Sequence, residues 1–166
     1  MRAWRERIRR NVETWLTGRV IIETYLCERR RAPQLIEVDE RENVVTYGGK
    51  ALALQLLAAQ AGTPGIAIAW GTNNTGQTVD DVGLYAEVLR TPLASVSPIS
   101  RVGDAAVMTI RAKLGKTQGN GHTFREIAFV TSLAPGQGLT IARVATADHA
   151  KTDQKFLLAQ WQFTLN

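Results

Sequence analysis

Four segments in the second half of the chain, about 105–113, 124–131, 139–146 and 156–165, are rich in apolar and β-branched residues over eight to ten positions. Turn-forming links separate them, among them Gly115 to Gly121 and Pro135-Gly136-Gln137-Gly138. Strands of this length and spacing restrict the chain to a mainly β fold. Upstream, Ile66, Ile68 and Trp70 alternate with Ala67 and Ala69 and predict a further strand, followed by a polar loop from Gly71 to Asp81. Leu84 to Leu93 reads as a short helical turn running into an edge segment that Pro92 ends. One helix interrupts the pattern at about 49–61. Leu52, Leu56, Leu57 and the neighbouring alanines make it apolar almost all round, which predicts burial, and Gly62-Thr63-Pro64-Gly65 stops it. The expected body is a β-sandwich or jelly-roll-like domain with one buried internal helix, and no internal repeat is visible.

The first 42 residues read differently. Trp4, Ile8, Val12, Trp15 and Leu16 fall on one face of a helix expected over 3–17, with Arg5, Arg7, Arg9, Arg10 and Glu13 on the other side and Gly18 as its stop. A single helix of this length is marginal in water, so the two-Trp face must dock, on the chain's own body or on a neighbouring subunit. Arg19 to Arg29 predicts a strand, with Ile22, Thr24 and Leu26 on one face and Ile21, Tyr25 and Cys27 on the other. Arg30-Arg31-Ala32-Pro33 breaks it. Leu35, Ile36 and Val38 allow a short second strand before the acidic stretch 39–42. The expected division is therefore an N-terminal arm, 1–42, and a body, 43–166.

Charge follows the same division. Residues 1–31 hold nine Arg and four Glu, which is the whole formal net charge of +5; the other 11 basic and 11 acidic residues cancel. A basic face of Arg5, Arg9 and Arg10 suggests a nucleic-acid-binding module, but Glu6 and Glu13 interrupt it, and docking on protein is the favoured reading. Cys27 is the only cysteine, so no internal disulfide forms, and its apolar surroundings predict a buried structural thiol. No apolar run reaches about 18 residues, and the N-terminus has no continuous apolar h-region, so synthesis in a cytoplasm is expected.

A search for chemistry returns little. His122 and His149 both stand in polar, turn-like stretches and read as solvated rather than metal-binding. Leu114-Gly115-Lys116-Thr117 imitates the end of a phosphate-binding loop, but Ile110 occupies the position of the first Walker glycine, so a hairpin turn is expected. The pairs Gly119/Gly121 and Gly136/Gly138 lack a βαβ context, and no Gly-x-Ser-x-Gly elbow exists. Asp80, Asp81 and Asp104 read as turn and cap formers. No catalytic, cofactor-binding or metal site is expected, and the chain reads as non-enzymatic.

Several segments together resemble a class of small structural proteins of tailed-phage virions. Asn43-Val44-Val45-Thr46-Tyr47-Gly48-Gly49-Lys50-Ala51-Leu52 is similar to an N-L-V-T-x-x-G-x-x-x-L opening, and Ile66-Ala67-Ile68-Ala69-Trp70-Gly71-Thr72-Asn73 to a strand ending I-A-I-G-T-G. Asp81 to Arg90 resembles D-T-x-L-x-x-E-x-x-R, and Phe124 to Phe129 the later x-x-E-x-G-L/F strand. The close is carried by Leu139 to Val144, Lys155 and Trp161-Gln162-Phe163. Trp70 and Ala128 depart from the pattern, and residues 1–42 have no counterpart in it. The resemblance implies a virion location, a β-sandwich-like fold and a homo-oligomer, with a trimer as the expected state. The implied role is a capsid decoration (cement) protein on the major capsid protein, with the arm as fastener. The alternative is a tail, baseplate or fibre-attachment subunit partnered by tail proteins.

Overall fold

The computed structural model describes residues 16–57 and 66–165. Its nine strands are β1 (Leu16–Leu26), β2 (Gln34–Val45), β3 (Ala67–Gly71), β4 (Glu87–Val96), β5 (Ser100–Val102), β6 (Ala105–Leu114), β7 (Thr123–Val130), β8 (Thr140–Ala150) and β9 (Lys155–Leu165). The one described helix, α1 (Tyr47–Leu57), follows β2. The strand order is β4-β3-β7-β8-β2-β1-β9-β6, and β6 pairs back onto β4, so eight antiparallel strands close into a barrel. β5 extends the β6 side as a short hairpin.

The mainly β reading stands, but the sandwich expectation is corrected to a closed barrel. Closure depends on β4 changing partner. Ala67 to Gly71 pair with its first half, Pro92 opposite Ala67; Leu93 then pairs with Ala112 of β6 and, after a bulge, Ser95 and Val96 pair with Arg111 and Ile110. Pro92 therefore stands inside a strand at the crossover and ends nothing, and the expected helical turn and edge segment over 84–93 are replaced by this stave. Eight strands leave an interior just wide enough for side chains. Trp70, Phe124, Ile127, Phe129, Trp161, Val20, Ile22, Ile110 and Leu157 are among those that fill it. Trp70 and Phe124 meet edge-on at 5.9 Å, and Trp70 Nε1 donates to Thr91 Oγ1 at 2.9 Å.

β1 and β2 are staves of this barrel, β1 pairing with β2 on one side and along its full length with β9 on the other. The expected arm–body division at 42/43 thus falls inside β2. The acidic stretch Asp39 to Glu42 is strand because its outer positions face solvent. Leu16 and Thr17 are already extended, and Gly18 lies in mid-strand with its Cα face against the Asn43 side chain, so it is no helix stop. The part of the expected helix from residue 3 to 15 lies outside the described residues. Cys27 follows the end of β1 and is half-buried rather than buried, because the chain leaves the barrel there.

α1 starts where Thr46 caps it. Thr46 Oγ1 accepts from the Gly49 N–H at 3.1 Å while its own hydroxyl donates to the carbonyl of Thr140. Gly49 is required here, since a Cβ would collide with the Ile141 backbone. The helix lies on the barrel's outside. Leu52 is buried, but Leu56 is 44% exposed and Tyr47 71%, which corrects the expectation of all-round burial.

The β2–β8 seam is short, with only Val44 opposite Arg143 and Val45 opposite Ala142. Beyond them the ladder gives way to side chains. Gln77, from the long β3–β4 loop, spans the gap: its Oε1 accepts from the Ala145 N–H at 3.1 Å and its Nε2 donates to the Glu42 carbonyl at 3.3 Å. Further along, Asp39 Oδ2 accepts from the Ala147 N–H at 2.7 Å. Gln77→Ala is expected to cost about 1 kcal/mol by denaturant unfolding and to speed amide hydrogen exchange at Ala145 ahead of exchange in the β1–β9 ladder.

Candidate functional site

The densest group of charges lies on the outer face of β7 and β8, beneath the loop 72–86. Residues on that face alternate with the interior ones: Ala67, Ala69, Ala128 and Val130 form a small apolar cluster outside the barrel, covered by Leu84. Glu126 and Arg143 share the face and are fully buried. Arg143 donates from Nη2 and Nε to Glu126 Oε2 at 2.7 and 3.0 Å, and from Nη1 to Asp81 Oδ2 at 3.0 Å. Its remaining protons go to the Thr75 and Gly76 carbonyls, and its guanidinium lies 4.5 Å from the Tyr85 ring centre. Glu126 in turn accepts the Ala86 N–H at 2.8 Å and the Tyr85 N–H at 3.2 Å. Gly71 passes so close that a Cβ would strike the Glu126 carboxylate.

Asp81 completes the cluster. It accepts from the Thr78 N–H at 2.8 Å and the Thr78 hydroxyl at 2.9 Å, and Tyr85 Oη reaches it at 3.2 Å. Burial pushes its carboxyl up. The Thr78 bonds and the Arg143 guanidinium outweigh that and hold it below the ordinary aspartate range. The turn-former reading of Asp81 is right locally and incomplete, since its second oxygen anchors an ion pair to β8. Every oxygen and guanidinium proton here is engaged within the chain, so the cluster fastens a loop and offers no free acid, base or ligand.

Two other buried polar residues, Lys151 and His149, differ in how fully they are engaged. Lys151 is held by the Asn120 side chain at 2.7 Å and by the Thr152 and Lys116 carbonyls at 2.8 and 3.2 Å, while burial pushes its ammonium down. It pins the loop 115–122, which joins the non-neighbouring strands β6 and β7; the Gly115-Lys116-Thr117 stretch is thus a crossover loop rather than a hairpin turn. His149 is not in a solvated turn either. It lies in β8 and is buried, Nδ1 3.4 Å from both Thr24 Oγ1 and Glu37 Oε2, and Nε2 3.4 Å from Asp39 Oδ2 without a hydrogen-bond partner. Among the described residues no group of three His, Cys, Asp or Glu side chains is placed to hold a metal ion. His122 is exposed in a turn, as expected.

The expected docking residues separate into two sets. Trp4, Ile8, Val12, Trp15, Arg5, Arg9 and Arg10 lie outside the described residues. Leu16 is in β1, half-buried, in the wall of an apolar groove of about 520 Å³ at one end of the barrel. A polar groove of about 600 Å³ runs beside it between β1, β2 and α1, where Arg19 is already paired with Glu40 at 2.9 Å. Exposed apolar side chains also stand on the covering loop and on the segments beside it. Val82 is 91% exposed, and with it stand Tyr85, Val79, Leu139 and Tyr47. Thr140 Oγ1 donates to the Val82 carbonyl at 2.9 Å and the Tyr47 N–H to the Val79 carbonyl at 2.8 Å, which brings these side chains to one face.

The chain matches no protein-family model, and no curated protein is similar to it.

Arg143→Met strands two buried carboxylates and is expected to cost about 3–5 kcal/mol in unfolding free energy. The acid limb gives a separate check. A carboxyl whose folded-state pKa is depressed contributes stability that is complete above its unfolded value, about pH 4, and that is lost as the pH falls through the folded one. Denaturation midpoints of the native chain and of Asp81→Asn should accordingly converge as the pH is lowered from about 4 towards 2.

Proposed function

We propose that this protein is a non-enzymatic structural subunit of a tailed-phage virion, and that its role is capsid decoration: binding the outer shell of major capsid protein and stiffening it against the pressure of packaged DNA. The observation that carries the reading is the apolar face of the covering loop. Val79, Val82 and Tyr85 are exposed on a loop whose backbone is held by buried ion pairs, and Leu139 and Tyr47 are exposed on the neighbouring segments that hydrogen-bond to it. A rigid surface loses little ordering entropy on association, which suits a contact repeated many times in an assembly. Apolar side chains concentrated on one side are what a protein-binding surface requires. Two further features are consistent with this: the barrel interior is filled by side chains, and the densest group of charges is spent on fastening the loop. The order of motifs from Asn43 to Phe163 supports the virion setting. A homotrimer is the proposed assembly unit.

The test is to mix the purified protein with expanded empty capsids and with isolated tails of the parent phage and to image both by electron microscopy. Regular density over the capsid, with a higher melting temperature of the shell, is the expected result. Binding only to tails would reassign the subunit to the tail, baseplate or fibre attachment, and binding to neither would end the virion reading. Val82→Asp, at a fully solvated position, should leave the unfolding free energy within about 0.5 kcal/mol of the native value while reducing capsid binding at least about tenfold.

A further inference from the structure

The apolar groove at the barrel end is walled by Leu16, Ala53, Leu56, Ile99, Met108 and Phe163, among others, and none of the described residues that line it is charged. Leu16 pairs with Leu165, which pairs in turn with Ala106, so the groove lies across the first residues of β1 and the ends of β9 and β6, with α1 as its far wall. Ile99 is 73% exposed at its rim, and Leu56 and Leu165 are also exposed. A groove of about 520 Å³ with this lining calls for an apolar occupant.

We infer that the occupant is the chain's own N-terminal segment, residues 3–15, docked through Trp4, Ile8, Val12 and Trp15. Three observations converge on it. The segment continues directly from Leu16, so it is tethered at the groove's own wall, at an effective concentration in the millimolar range for a short connection. Its apolar residues recur at helical spacing, one about every 6 Å along a helix axis, while Arg5, Arg7, Arg9 and Arg10 occupy the remaining positions and would stay in water. The other internal stretch outside the described residues, 58–65, reads Ala-Ala-Gln-Ala-Gly-Thr-Pro-Gly and offers no large apolar side chain to fill such a space. The segment thus acts as a cap on its own barrel, and its basic face becomes part of the outer surface of the subunit. This assignment is independent of the partner to which the subunit binds.

The full-length protein serves for the test. Tryptic cleavage at Arg5, Arg7, Arg9 and Arg10 is followed by mass spectrometry in the native chain, in Ile99→Glu and in Val82→Asp as a control at another exposed apolar site, away from the groove. Cleavage is expected to rise at least about tenfold in Ile99→Glu alone, with native protection unchanged between about 1 and 100 µM protein. Equal cleavage in all three proteins overturns the cap, and so does protection that vanishes on dilution, which would give the groove to a second copy. A second measurement does not depend on proteolysis. In a Cys27→Ser background, Val12→Cys with Ile99→Cys should be joined by a short bifunctional thiol reagent within one chain. Joining between chains, or no joining at all, refutes the inference.

Discussion

One buried arginine, Arg143, holds the loop that bridges the barrel's shortest seam. That seam, β2 against β8, has two residue pairs of ladder, and the gap beyond them is bridged by Gln77. Gln77 is in place because the two preceding carbonyls, of Thr75 and Gly76, are held by Arg143, which is fixed in turn by Glu126 and Asp81. The chain of dependence runs from a charge on β8, through a loop, back to the edge of β8 itself. A buried ion cluster is a poor source of net stability, because desolvation offsets much of the attraction. Its effect here is on geometry. With both carboxylates and the guanidinium out of water, any other arrangement of the loop leaves a buried charge unpaired, and that cost selects one loop conformation.

That selection determines what the surface can do. The β3–β4 loop covers the alanine-rich outside of β3 and β7, where the absence of larger side chains lets the backbone approach closely. Covering removes an outer sheet face from solvent and replaces it with a surface whose apolar members, Val82 and Tyr85 foremost, stand on a fixed backbone. Tyr85 is the hinge between the two roles: its ring lies over the Arg143 guanidinium and its hydroxyl reaches Asp81, while much of the residue remains exposed. The residue that helps to fasten the loop is therefore also part of its exposed surface.

Much of this was legible in the sequence. β6 to β9 have the spacing and turn chemistry that single-sequence reading handles well, and each lies within a few residues of its expected bounds. Closure into a barrel was not legible, because it rests on β4 changing partner after Pro92 and on a two-pair seam, and neither event leaves a periodic trace. The acidic run 39–42 hid the length of β2, since its outward positions are solvated and Asp39, pointing the other way, is satisfied by the Ala147 N–H and by Arg41 at 2.7 Å. The ion cluster did leave a signal. Glu126 and Arg143 are charges of opposite sign inside apolar strands, which is the pattern of a buried pair. Their third partner, Asp81, was hidden by its ordinary local role in a turn.

The covering loop and, as we infer, the N-terminal segment meet the same physical difficulty at two places. A small closed barrel has no sheet edges to protect, but its outer faces and its ends still expose apolar side chains that water does not favour. The outside of β3 and β7 is covered by a segment inserted between two neighbouring strands, which needs buried ions to keep it in register because it has no regular structure of its own. The barrel end is different. None of the described residues that line its groove is charged, so what they offer for selecting an occupant is shape, apolar area and tethering. A sequence with its apolar residues on one side of a helix, joined directly to the groove wall, meets all three conditions, whereas a detached partner meets only the first two. The face around Val82 is left uncovered by the described residues, an apolar surface on a fixed backbone.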